Sequence, residues 1–193
     1  MSVVEITGDI TITDSGVYVV REGSPNVRVE GGAQPRIYTH GMSKPRIYTY
    51  RTSKPQISTY DTSKPRIVTC GTSTPLIYTY DTSEPRIYTY RTSQPRIITY
   101  DSSQPRIYTH GTSKPRIGTC DTSKPQIYTY DTSQPQIGTC GTSKPRIRTY
   151  DTSQPQIYTH GTSNPRISTY GTSNPRIVTH EDSSYTVNGQ EGV

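Results

Sequence analysis

The chain has 193 residues and a formal net charge of +6, with no Phe, no Trp, one Leu (Leu76) and one Ala (Ala33). This composition excludes a large core packed from bulky apolar side chains. Sixteen Pro and 15 Gly would place the chain among disordered tracts on composition alone. Its internal repeat argues otherwise, because stacked repeats need only a thin, continuous core.

Residues 1–32 are degenerate and acidic, with two Arg against five Asp/Glu. Their opening, "MSVVEITGDITIT", lacks a basic segment followed by an apolar core, so no secretory leader is expected. They read as N-terminal capping coils, which a stacked-strand rod needs to stop end-to-end strand addition.

Residues 33–180 form the repeat, and every proline of the chain, from Pro25 to Pro175, falls on a number ending in five. The consensus is Asp/Gly–Thr–Ser–Lys/Gln–Pro–Arg/Gln–Ile–Tyr–Thr–Tyr, as in "DTSEPRIYTYRTSQPRIITY" (81–100). Position seven is Ile from Ile37 to Ile177, position nine Thr from Thr39 to Thr179, and position three Ser from Ser43 to Ser183. Positions four, six, eight and ten drift. Fixed odd and variable even positions give a period of two, the mark of a β-strand. Ser, Pro, Ile and Thr are therefore predicted to face inward and Lys, Arg and Tyr outward, since the opposite parity would bury cations in every repeat. Proline every ten residues excludes helix.

The predicted fold is all-β: one elongated β-solenoid (β-helix) of about 15 ten-residue coils with degenerate end caps. "PRIYTY" supplies the strand of each coil, and Asp or Gly at position one turns the corner. At one strand spacing per coil the rod would be roughly 70 Å long. In "SGVYVVREGS" (15–24), Val17 and Val19 are placed in the Ile and Thr columns. Residues 181–193 read as a C-terminal capping coil and tail, with Ser183 in the Ser column, Tyr185 replacing Pro, Val187 in the Ile column and Gly189 replacing Thr.

Cys70, Cys120 and Cys140 all occupy position ten, as do the four histidines. With ten-residue coils, Cys120 and Cys140 would lie two coils apart, beyond disulfide reach, so all three are expected to be free thiols. His110 and Cys120 would be the one neighbouring pair of metal-ligand type, too few for a metal site, and none is expected. No catalytic constellation, phosphate loop or cofactor motif is present among the repeated hydroxyls, and the chain is expected not to be an enzyme.

The decapeptide run resembles the short-repeat β-solenoids of bacterial and phage proteins over about 80% of the chain. The resemblance implies the fold and little about function; a cytoplasmic or phage-particle setting is expected because no secretory leader or membrane-spanning run is visible in the sequence. The ten-residue period and Tyr column also resemble an insect antifreeze protein, but the paired Cys of each coil is missing and the Tyr column is interrupted. A more distant likeness to mussel adhesive repeats lacks the fixed Ile.

The exposed face carries the functional expectation. Residues 33–180 hold 19 Lys/Arg against 7 Asp/Glu. Arg46, Tyr48 and Tyr50 should form one row, Arg86, Tyr88 and Tyr90 an equivalent row four coils away, with Tyr78, Tyr80, Arg106, Tyr108, Tyr128 and Tyr130 in the same columns. The first reading is a non-catalytic structural or display rod. The alternative is a multivalent binder of a polyanion or glycan, in which cations meet anionic groups and aromatics stack on bases or sugars. An ice-binding surface stands third. No apolar run approaches membrane-spanning length.

Overall fold

The computed structural model describes residues 3–180, 182–188 and 190–192, the last three as backbone only; Gly189 and the rest of the tail lie outside the described residues. The described residues are all-β, and no helix among them is long and apolar enough to cross a membrane. Four-residue strands recur every ten residues, from Arg36–Thr39 to Arg176–Thr179, and all of them run parallel within their sheets. The β-solenoid follows as the repeat predicts.

A coil, however, takes two decapeptides. Arg86 pairs with Arg106 and Ile87 with Ile107, a step of twenty residues. Alternate strands therefore build two sheets. The first has ten strands and includes Arg36–Thr39, Gln56–Thr59 and Arg96–Thr99. The second has eleven and includes Arg46–Thr49, Arg86–Thr89 and Arg106–Thr109. The result is about nine coils and a rod of about 45 Å, shorter than ten-residue coils would give. The physical reason lies in the Ile column. A single sheet leaves its inward face bare, whereas two facing sheets cover each other's isoleucines.

The parity of the repeat holds throughout. Ile37 to Ile107 are completely buried, Arg96 is exposed, and Tyr88 is half-buried. The Ser, Pro and Thr columns are buried beside the isoleucines through the body of the rod. Burying hydroxyls requires partners. From Thr39 to Thr159 each inward Thr meets the Ser 24 residues on: Thr79 donates to Ser103 at 3.0 Å, and Thr109 to Ser133 at 3.0 Å. Ser43 and Ser53 alone lack such partners among the described residues. One coil earlier the Thr column holds Val20 and Val29, so the hydroxyl ladder starts only where the threonines do.

Backbone bonds close the coil outside the strands too, as where the Arg66 amide donates to the Pro45 carbonyl at 2.9 Å. Proline is tolerated here because it stands just before each strand, where it gives its carbonyl to the ladder and no strand bond needs its N–H. The corners turn on position one in the left-handed region. Asp61, Asp81, Asp101 and Asp121 have φ of 54–57°. Arg51 and Arg91 adopt the same conformation at φ 54° and 60°, without the local hydrogen bonding that makes it cheap for Asp.

The ends depart from the sequence reading in one place. Tyr18 pairs with Ile37 and Val20 with Thr39, so Tyr18 and Val20, not Val17 and Val19, occupy the Ile and Thr columns. The preceding coils are shorter: Ile10 pairs with Val27, and Val3 with Val17. A register counted back in tens slips by one residue there, which exchanges the two faces of the strand. At the other end Val187 pairs with Ile167, and Ser183 is buried and bonded to Thr159, as the register predicts. Gln190–Gly192 then returns antiparallel along Tyr185–Val187, covering the last edge of the second sheet.

Candidate functional site

Twenty-residue coils sort the outward residues into two faces. Ten of the twelve site residues named from the repeat fall on the second sheet and its following corner: Arg46, Tyr48, Tyr50, Arg86, Tyr88, Tyr90, Arg106, Tyr108, Tyr128 and Tyr130. Tyr78 and Tyr80 belong to the first sheet and are brought together with Tyr100 instead. The rows headed by Arg46 and Arg86 are two coils apart, not four, with Arg66 between them.

The second face is strongly basic. Its outward positions four, six and eight carry eleven cations from Lys44 to Arg166, and one acid, Glu84, which is already paired with Lys64 at 3.0 Å. The first face carries six cations in the same columns. On the second face arginines stack in register: Arg46 on Arg66, Arg66 on Arg86, Arg86 on Arg106, and Arg146 on Arg166. The first face has one such pair, Arg96 on Arg116. Like charges directly opposite in a sheet are unfavourable. A groove beside this column is lined by Lys124, Lys144, Arg146 and Arg166 and has a volume of about 490 Å³.

The tyrosines are arranged differently from the expectation of base-stacking platforms. Tyr88, Tyr108 and Tyr128 stack on one another at 4.8 and 4.9 Å. Arg66 lies over the outer face of this stack at Tyr88, 4.9 Å from the ring centre, and Arg148 over Tyr128 at 5.6 Å. At the corner, Tyr90, His110, Tyr130, Tyr150 and Tyr170 form a second continuous stack. Most ring faces are thus spent within the rod, the ends of the corner stack at Tyr90 and Tyr170 excepted. Burial, then the neighbouring rings, raises the phenols of Tyr90, Tyr108 and Tyr130 above their usual value. The same burial lowers the imidazole of His110, against the opposing pull of Asp131. Second-face charge near neutral pH therefore comes from Arg and Lys.

The opposite corner is acidic. Asp61, Asp81, Asp101 and Asp121 follow one another one coil apart, and their repulsion is offset because each of the last three accepts a backbone N–H from the preceding coil, as from Asp61 to Asp81 at 2.9 Å.

Two expectations about the position-ten column are overturned here. Cys120 and Cys140 occupy adjacent coils, with Cα atoms 4.8 Å apart, and form a disulfide; Cys70 is free. Ten-residue coils would have doubled that separation, which is why the bond was excluded. His110 and Cys120 are not neighbours, since a step of ten residues sends them to opposite corners. The one signal in the sequence was the spacing of Cys120 and Cys140, twenty residues, which is a single coil once a coil holds two decapeptides.

Compared with known proteins, the chain matches no family model, no curated protein and no solved structure.

Proposed function

We propose that the protein is a non-catalytic display rod whose second face binds a repetitive polyanion. The observation that carries this reading is the in-register arginine column, Arg46–Arg66–Arg86–Arg106 and Arg146–Arg166, with only Glu84 among its outward neighbours to offset it. Folding alone gains nothing from stacking guanidinium on guanidinium; an anionic polymer laid along the column removes the repulsion. Because most ring faces of this side are covered, recognition rests on charge and tolerates any sequence of monomers. The repeated inward hydroxyls are buried and bonded to each other, which supports a role without nucleophilic chemistry.

The test is titration with single-stranded DNA and with a sulfated polysaccharide at two salt concentrations, together with thermal melts. If about six phosphates are neutralised, the logarithm of affinity should fall with the logarithm of salt with a slope of about −4. Bound polymer should also raise the melting temperature, by linkage. A rod that binds neither polymer near physiological salt, or shows no salt dependence, is a scaffold alone.

A further inference from the structure

We infer that the first face carries a separate small-molecule site, a notch at Gly118 and Gly138 that accepts a planar aromatic ring bearing an anionic group. Two successive rungs of that face, those of Gly118 and Gly138, lack a ring in both aromatic columns. Position eight runs Tyr78, Ile98, Gly118, Gly138, Tyr158, and position ten runs Tyr80, Tyr100, Cys120, Cys140, His160. The gap between the flanking rungs is three strand spacings, about 14 Å, and two successive rungs within it hold no ring.

Each end of the notch presents a ring. Tyr100 stacks on Tyr80 at 5.3 Å with its rings nearly parallel, so its other face looks toward the rung of Cys120, where no ring follows. Tyr158 has no aromatic partner among the described residues, and its hydroxyl donates to Gln156 at 3.1 Å, which holds the ring in place. This is the reverse of the second face, where guanidinium groups cover the ends of the Tyr88–Tyr128 stack. The Gly118–Gly138 backbone and the disulfide-linked rungs of Cys120 and Cys140 form the floor, in a depression of about 480 Å³. Along one wall stand Arg96 and Arg116, the only in-register arginine pair of this face, placed to receive one phosphate or carboxylate between them.

The backbone does not demand glycine at either position. A Cβ on Gly138 would meet nothing within 4 Å, and one on Gly118 would make an ordinary 3.7 Å contact with Ile98. The notch can therefore be filled without disturbing the coil. An incoming ring takes the place of a missing rung, stacking on one of the two free tyrosine faces, while the arginine pair takes its anion.

The probe is adenosine 5′-monophosphate, followed by backbone amide shifts in nuclear magnetic resonance, with adenosine and inorganic phosphate as its separated halves. The monophosphate should shift the amides of Gly118 and Gly138 at millimolar concentrations or below, and each half should bind more weakly. Gly138→Tyr should leave the circular dichroism spectrum unchanged while weakening binding by about tenfold or more. Arg86→Gln with Arg106→Gln, on the other face, should leave it intact, which separates this site from the polyanion face. The inference is overturned if those two amides do not respond, if Gly138→Tyr binds as well as the parent, or if the second-face variant loses the monophosphate equally.

Discussion

On the second face position six reads Arg46, Arg66, Arg86, Arg106, Gln126, Arg146, Arg166, whereas on the first the same column reads Arg36, Gln56, Leu76, Arg96, Arg116, Gln136, Gln156, Arg176. Beneath both, position seven is Ile without exception. Inside, the two faces obey one steric demand, because each inward side chain packs on its copy one coil away and on the facing sheet. Outside, each face answers only to solvent and to whatever it meets. An average over decapeptides, one cation and one ring per repeat, erases that difference.

The largest effect expected is one that treats the faces alike. Ile97→Asp in the first sheet and Ile107→Asp in the second each bury an unpaired carboxylate in the same thin core and should each cost about 4 kcal/mol or more. Arg96→Asp and Arg106→Asp, one residue away on the exposed side, should each cost less than about 1 kcal/mol. Four melting curves check this. An Ile substitution tolerated on one sheet only would mean that the two sheets do not share a core.

A smaller effect should separate the corners. Cys120 and Cys140 close a loop of twenty residues beside the first sheet, and replacing both with Ser should cost about 2–3 kcal/mol under oxidising conditions. Cys70→Ser, at the corner that follows the second sheet, should be close to neutral. Thiol titration of the native chain should find one reactive group. Three free thiols, or equal melting of both variants, would restore the reading of unpaired cysteines.

Much of this architecture was legible because the repeat states what each strand requires. The parity of Ile87 against Tyr88, the Asp or Gly corner and the Ser183 register all follow from local chemistry. The number of strands in a coil does not, since no letter of a decapeptide tells whether its neighbour above lies ten or twenty residues away. That single unknown produced the overlong rod, the expectation of free thiols at Cys120 and Cys140, and the merged faces. It entered by way of the Ile column, whose need for a facing sheet is a tertiary demand. The slip at Tyr18 has another origin: coils before residue 33 are shorter than twenty residues, and counting in tens cannot see it. Of the candidate site, the residue types were readable, but their grouping waited on the coil. The covered tyrosine faces needed coordinates, because stacking of Arg66 on Tyr88 depends on which residue lies one coil away.

The most direct test of two unlike faces removes the same charge from the same column on each side. One variant replaces Arg46, Arg86, Arg106 and Arg146 with Gln; the other replaces Arg36, Arg96, Arg116 and Arg176, and both lose four positive charges. The measurement is the salt dependence of single-stranded DNA binding for each. The second-face variant should bind much more weakly, with a slope shallower by about 3, whereas the first-face variant should keep most of the parent's slope. Equal losses in the two variants would contradict the account, showing that net charge, and not a built face, holds the polymer.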